Sequence, residues 1–165
     1  MLRISLFIAL LIGTAATIFA QSKIDSLMSL HQYDLVIEAL GDWESLDPKT
    51  KKQLAEAQLK SGRLYKALDS YQKLYTADSN QSYLLQQARI QEKLNEKTAA
   101  LRIYIKLNGI APENAYYWKL TAKSALKNSE YPLSLAAWNE ALERSPQDLE
   151  AINNMALLYN KLDQA

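Results

Sequence analysis

Four segments of the sequence align with one another, and this internal repetition constrains the fold more than any other feature. The segments begin at residues 33, 64, 97 and 131, so successive starts are 31, 33 and 34 residues apart. Each segment carries a small or slim residue, a large apolar residue four positions later and a further apolar residue three positions after that: Val36, Leu40 and Trp43; Ala67, Tyr71 and Leu74; Ala100, Tyr104 and Leu107; Ser134, Trp138 and Ala141. Because three and four are the contact spacings of a helix, each set is expected to lie on one helical face.

Residues that interrupt helices recur with the same period. Proline, which suits a turn or the first turn of a helix, follows the first, third and fourth segments, at Pro48, Pro112 and Pro146. Ser79 has the equivalent position after the second segment. A second break precedes each segment, at His31, Gly62, Asn95 and Ser129. The pattern predicts two antiparallel helices of about a dozen residues in each repeat. The low Gly and Pro content, four of each, agrees with an all-α chain and disfavours β-rich folds.

This pattern resembles the tetratricopeptide repeat, a helix–turn–helix unit of about 34 residues. The resemblance implies a right-handed superhelical solenoid of antiparallel helix pairs over residues 21–148. In the family's register the repeats are 17–47, 48–80, 81–114 and 115–148, and residues 149–165 form a closing helix or the start of a fifth repeat. The first repeat is atypical, because only residues 21–30 remain for its first helix if the leading segment is removed.

The family's small and aromatic positions predict the core. The small residue in the middle of each first helix falls at Ala55, Ala88, Ala122 and Ala156. Core packing is expected for five aromatic residues: Tyr71, Tyr104, Trp118, Trp138 and Tyr159. In the closing helix the register groups Ile152, Met155, Ala156 and Tyr159 on one side, which we expect to be the packed side.

Residues 1–20 have the pattern of a secretory signal peptide. Arg3 provides a positive start, the run from Ile4 to Phe19 is mostly apolar, and Ala20 suits a cleavage site before Gln21. An alternative is an uncleaved membrane anchor at residues 2–20, since the run is only slightly shorter than a spanning helix. Either reading predicts an exported protein, periplasmic or extracellular, or attached to the membrane by this segment.

The sequence lacks the residue sets that most enzymes need. It has no cysteine, His31 is the single histidine, and no glycine-rich phosphate loop is present. We therefore expect no enzymatic activity, no cofactor and no metal site. The net charge of +1, together with export, disfavours nucleic acid as a partner.

The resemblance implies a concave groove lined by the first helices. At the family's groove positions the sequence places nine basic residues: Lys49, Lys52, Lys60, Arg89, Lys93, Lys119, Lys123, Lys127 and Lys161. Three acids, Glu56, Glu92 and Glu150, occupy the same positions, whereas other acids, Asp148 among them, fall on turns and second helices. The alternative is that the lysines are exposed helix formers without a binding role.

The candidate partner-binding residues are Lys52, Arg89, Lys93, Lys119, Lys123, Lys127 and Asn154. We expect Lys119 and Lys123 to be exposed and to attract an acidic segment or a free carboxyl end. Lys119 and Asn154 coincide with two positions of the family's carboxylate clamp, but the other positions differ, so the clamp is not carried over. The predicted function is an exported scaffold or adaptor that binds a protein or peptide. Two alternatives are a self-associating structural repeat protein and a regulatory part of a larger protein.

Overall fold

The computed structural model describes residues 20–163, and all regular structure in this range is helical. Residues 20–29 form helix α1, the first of nine α-helices in the described chain. The others are α2 (Tyr33–Leu40), α3 (Pro48–Lys60), α4 (Leu64–Asp78), α5 (Gln81–Lys93), α6 (Lys97–Ile110), α7 (Ala115–Lys127), α8 (Tyr131–Arg144) and α9 (Leu149–Asp163), with a 3-10 turn at Trp43–Ser45. The predicted signal peptide or anchor lies outside the described residues, apart from Ala20. Within the described residues no helix is both long and apolar enough to cross a membrane.

Side-chain caps and proline fix where the first helices of the pairs begin. Asp47 accepts hydrogen bonds from the backbone N–H groups of Lys49 and Thr50, and Pro48 occupies the first turn of α3. Asn80 caps α5 and Asn114 caps α7 in the same way. These caps satisfy backbone donors that have no partner inside the helix. Helices α3, α5 and α7 thus begin at residues 48, 81 and 115.

One turn recurs at the end of α1, α3, α5 and α7. His31, Gly62, Asn95 and Ser129 all have a positive φ, between 58° and 79°. At each turn the next N–H donates to the carbonyl five residues earlier, as from Arg63 to Gln58 at 2.8 Å. This is the Schellman arrangement, which closes a helix with a left-handed residue. The four predicted mid-repeat breaks are therefore confirmed.

The chain divides into two compact units between Ser70 and Tyr71. In the first unit, a core of Ile24, Val36 and Ala57 joins α1, α2 and α3. Ser70 donates a buried hydrogen bond of 2.7 Å to Gln58. This unit corrects one expectation, because Trp43 does not lie on the face of α2. Helix α2 ends at Leu40, and Gly41 with φ of 61° turns the chain away.

In the second unit, small and large residues of consecutive helices interlock as predicted. One cluster joins α5, α6 and α7 through Leu84, Ala88, Ala100, Tyr104, Leu107 and Tyr117. Another joins α7, α8 and α9 through Ala122, Ala137, Trp138, Ala151 and Leu158. Tyr104 and Trp138 are almost completely buried. Close approach of the helices is possible because alanines stand opposite the rings.

Two aromatic predictions need correction. Trp118 is only partly buried at the edge of its cluster, where its indole N–H donates to the Pro112 carbonyl at 2.7 Å. Tyr159 is 45% exposed and does not belong to the core. Helix α9 instead packs Ala151 and Leu158 on α8, with Met155 and Leu162 partly buried beside them. The predicted side of α9 was therefore wrong, apart from Met155.

Candidate functional site

The first helices of the second unit contact one another through polar side chains. We call this surface the α5–α7–α9 face and define it by Arg89, Glu92, Lys93, Tyr116, Lys119, Lys123, Lys127, Glu150 and Asn154. Six of the seven candidate partner-binding residues lie on it. Lys52 lies on α3 in the first unit, where it is exposed.

Glu92 is anchored in the α5–α7 part of the face by two donors. The hydroxyl of Tyr104 donates to Glu92 Oε2 at 3.0 Å, and Lys127 Nζ lies 2.7 Å from Glu92 Oε1. Burial raises the pKa of Tyr104, and the neighbouring Glu92 carboxylate raises it further, so the hydroxyl remains a donor. The ion pair between Glu92 and Lys127 is therefore held in place by the core.

A cavity of about 230 Å³ lies beside this ion pair. Its lining combines both signs of charge with neutral polar groups: Glu92, Asn95, Lys97, Ser124 and Lys127. Its size is below that of pockets for drug-sized ligands.

Arg89 and Lys93 are the exposed cations of α5 on this face. Arg89 Nη2 donates to the hydroxyl of Tyr116 at 2.9 Å, which joins α5 to α7. Neither cation forms an ion pair with another described residue. A guanidinium has five N–H donors, so Arg89 keeps donors for a further acceptor. Lys93 is four residues after Arg89 and thus one helical turn away.

Lys119 and Lys123 are neutralised by the start of α9, unlike Arg89 and Lys93. Lys119 Nζ lies 2.7 Å from Asp148 Oδ2 and 2.9 Å from Glu150 Oε2. Lys123 pairs with the other oxygen of Glu150. The side chain of Lys119 is only 18% exposed, so the expectation that it is exposed was wrong. Asp148, which the sequence pattern assigned to a turn, supplies the charge that holds it.

These contacts shift the pKa values of Asp148, Glu150 and Lys119 in the direction expected of ion pairs. The pKa of Asp148 is lowered, first by the hydrogen bond from Lys119 and then by the backbone N–H of Ala151. Hydrogen bonds from Lys123 and Lys119 lower the pKa of Glu150. The pKa of Lys119 is raised by Asp148 and then by Glu150. Lys119 therefore serves first to join α7 to α9.

The remaining candidate residues differ in how far they are exposed and in which groups they contact. Lys127 is largely exposed although it is paired with Glu92. Asn154 donates to the Glu150 carbonyl of its own helix at 2.7 Å and is partly exposed. Tyr116 was not among the predicted site residues, but it is three residues before Lys119, on the same side of α7, and it is 42% exposed. Position in the repeat was the signal that could have identified it.

The chemistry of the face suits binding. In the described part of the chain, no group of three or more histidine, cysteine or acidic side chains is arranged to hold a metal ion. The face instead presents hydrogen-bond donors, a tyrosine ring and paired charges. Such groups recognise a polypeptide segment by hydrogen bonds and shape.

Comparisons with known proteins find similarity in structure. No protein-family model and no curated protein matches the sequence. The structure is similar to MamA 41-end from Desulfovibrio magneticus RS-1, with a TM-score of 0.71 and 15% identity over 88% of this chain and 84% of that chain. It is also similar to a tetratricopeptide repeat protein from Parabacteroides merdae ATCC 43184, with a TM-score of 0.73 and 20% identity over 84% of this chain and 57% of that chain.

At these identities the likeness shows the fold. The chain has the all-α fold of tetratricopeptide repeats, a solenoid of helix pairs, as the sequence pattern predicted. Its division into four repeats, the first atypical, with a closing helix, stays a prediction, as do the binding roles of the candidate residues.

Proposed function

We propose that this protein is an exported interaction scaffold that binds a segment of another protein on the α5–α7–α9 face. The tetratricopeptide-repeat fold is suited to protein-binding scaffolds. The observation that carries the proposal for this face is the exposed group of Arg89, Lys93 and Tyr116. These side chains offer donors and an aromatic surface that the described residues leave at least partly exposed.

The contacts of the face favour a partner with a carboxylate next to an apolar or aromatic side chain. Arg89 supplies a guanidinium, which pairs with carboxylates through two parallel hydrogen bonds. The ring of Tyr116 provides an apolar surface next to it, and the cavity beside Glu92 and Lys127 accepts a neighbouring side chain. The role of Lys119 and Lys123 is to position α9 and so to complete the face.

Export is the second part of the proposal and rests on the sequence of residues 1–20. A positive start, an apolar run and a small residue at position 20 support a secretory signal, and a membrane anchor is the alternative. Both readings place the binding face outside the cytoplasm.

Site-specific photo-crosslinking tests the binding face. A photoreactive phenylalanine analogue replaces Tyr116 in the full chain produced in its own host, and Tyr65, which is 74% exposed on α4, serves as the control position. We expect discrete adducts with another protein from position 116 and none of the same mass from position 65. Adducts that form equally at both positions, or at neither, would argue against this face.

A signal-sequence reporter tests export separately. Residues 1–20 are fused to a reporter that is active only outside the cytoplasm, and Arg3→Glu together with Leu10→Arg provides the matched defective segment. We expect activity from the natural segment and loss of activity with the variant, because charge in the apolar run prevents its insertion. A reporter that stays inactive with the natural segment would remove export from the proposal.

A further inference from the structure

The cavity beside the ion pair of Glu92 and Lys127 contains polar groups that no other described residue binds. It lies between the turn that joins α5 to α6 and the last turns of α7, so consecutive elements of the second unit form it. Ser124 lines it and is 1% exposed, yet its hydroxyl forms no hydrogen bond with another described residue. The side-chain amide of Asn95 also lines it without a described partner. Because buried polar groups are normally hydrogen-bonded, a buried hydroxyl of this kind in a cavity points to a ligand.

Two ammonium groups line the same cavity, and they differ in their contacts. Lys127 Nζ lies 2.7 Å from Glu92 Oε1, and the other oxygen of Glu92 accepts from Tyr104. Lys97, the first residue of α6, is exposed and forms no ion pair with another described residue. The lining residues thus carry one excess positive charge, from two lysines against one glutamate. This excess favours an anionic group in the cavity.

The nearest acids outside the lining do not reverse this preference. Glu96 and Glu130 are the N-cap residues of α6 and α8, and neither of them lines the cavity. Lys93, in the last turn of α5, lies three residues before Glu96 and offsets its charge. The surroundings of the cavity therefore leave the excess of the lining in place.

The backbone carbonyls at the ends of α5 and α7 are already engaged. The Glu92 carbonyl accepts from the backbone N–H of Asn95 at 3.0 Å, and the Ser124 carbonyl accepts from that of Asn128 at 3.1 Å. Free carbonyls at a helix end would disfavour an anion. Because these two have partners, the ammonium of Lys97 and the side chains of Asn95 and Ser124 remain to bind a ligand, and all three can donate.

We propose that this cavity binds a carboxylate carried on a short unbranched chain. The carboxylate oxygens accept hydrogen bonds from Lys97, Asn95 and Ser124, and the apolar stems of the lysines contact the methylene groups. A volume of about 230 Å³ holds a group of this size. The carboxylate has two possible sources. One is a glutamate side chain of the bound segment, which rests on the proposed function, and the other is a free small acid, which does not.

Amide chemical shifts of the isotopically labelled full chain test the cavity with sodium propionate. The salt replaces sodium chloride at constant ionic strength and about pH 7, where the carboxyl is ionised. We expect saturable shifts at Asn95, Lys97 and Ser124, with a dissociation constant on the order of 1 to 20 mM, as suits a ligand of few atoms. Propionamide has a similar shape without the charge and is expected to bind at least about tenfold more weakly.

Substitutions in the lining are expected to change the affinity in opposite directions. Lys97→Gln and Ser124→Ala each remove a donor and are expected to weaken propionate binding at least about fivefold. Glu92→Gln removes the carboxylate that engages Lys127 and is expected to tighten propionate binding at least about threefold. The control is Arg102→Gln, which removes a charge from α6 at an exposed residue outside the lining and is expected to bind as the wild type does.

A glutamate residue blocked at both ends distinguishes the two sources. Shifts at the same amides with this compound support a glutamate side chain of a bound segment, whereas shifts with propionate alone support a free acid. Shifts that grow linearly without saturation, that propionamide reproduces, or that centre on Arg89 would overturn the proposal. The titration involves no partner protein, so its failure is distinguishable from a failure of crosslinking at Tyr116.

Discussion

At the residue scale, Trp138 shows how the repeat builds its core. Its ring is completely buried among Ala122, Ala137 and Ala151, residues of three successive helices. The alanines cannot fill the space that the ring would leave. We expect Trp138→Ala to lower the free energy of unfolding by roughly 3 to 5 kcal/mol, measured by urea denaturation. A loss below about 1 kcal/mol would show that the ring is not in the α7–α8–α9 core.

Lys119 and Lys123 should differ in their contributions to stability. Lys119 has two carboxylate partners and a side chain that is 18% exposed, whereas Lys123 has one partner and is 40% exposed. Lys119→Ala is expected to cost about 1 to 2 kcal/mol of unfolding free energy and Lys123→Ala less than about 0.5 kcal/mol. Equal losses for the two variants in chemical denaturation would mean that the network does not join α7 to α9 through Lys119.

The sequence could predict which residues are charged on this face but not their pairing. Glu92 and Glu150 were placed at groove positions, yet their contacts depend on how neighbouring helices are offset. Asp148 is two residues before Glu150, in the turn ahead of α9, and no helical period relates it to Lys119. Tyr104 was predicted as a core ring, whereas its hydroxyl also anchors Glu92. Such contacts are set by tertiary geometry that one-dimensional spacing does not contain.

At the element scale, the four Schellman turns allow a matched pair of substitutions. Gly62 has φ of 79°, and a Cβ there would meet no atom within 4 Å, so Gly62→Ala affects only the backbone. Ser129 holds the same conformation with φ of 62°. We expect Gly62→Ala to destabilise by about 1 kcal/mol and Ser129→Gly to stabilise by about 0.5 to 1 kcal/mol. Thermal unfolding checks both, and shifts in the same direction would contradict the shared turn.

The contact between α7 and α9 should depend on pH at both ends of the range. The pKa values of Asp148 and Glu150 are lower in the folded protein than their ordinary values of 3.8 and 4.5. The two carboxylates therefore contribute to the free energy of unfolding above these ordinary values, and this contribution is lost as pH falls through the folded-state pKa values. The pKa of Lys119 is higher in the folded protein than its ordinary value of 10.5. Its contribution to the free energy of unfolding is therefore present below pH 10.5 and is lost as pH rises through the folded-state pKa.

We therefore expect this contribution to stability to be complete between about pH 5 and pH 10. Urea unfolding of the wild type and of an Asp148→Asn and Glu150→Gln double variant measures it. The variant is expected to lose less stability on acidification than the wild type. Parallel acid profiles would show that the network contributes nothing to folding.

Helix boundaries were more predictable than helix faces. Breaks at Gly62, Asn95 and Ser129 follow from local backbone preferences, which the sequence states directly. The packed side of α9 was missed because the repeat register groups Ile152, Ala156 and Tyr159, the residues suited to a following helix. Packing on α8 uses Ala151 and Leu158 instead. Helix α2 was also shorter than predicted, because Gly41 ends it before Trp43.

At the scale of the whole molecule, the repeat period was sufficient to predict the class of fold. A chain whose apolar residues recur every 31 to 34 positions, with helix formers between the breaks, has few alternatives to stacked helix pairs. Function is less determined, because the face that binds depends on a few exposed side chains. We propose that Arg89, Lys93 and Tyr116 have that role.

Peptide display against the full chain, followed by affinity measurement on selected peptides, tests this central claim most directly. The binding variant is Arg89→Gln with Lys93→Gln, and the control removes two exposed charges elsewhere, with Lys66→Gln in α4 and Arg102→Gln in α6. We expect the selected peptides to carry a carboxylate and to bind the first variant at least about tenfold more weakly, as loss of charge-assisted hydrogen bonds requires. Binding to the control is expected to match the wild type. Peptides that bind both variants and the wild type equally would contradict the assignment of the α5–α7–α9 face.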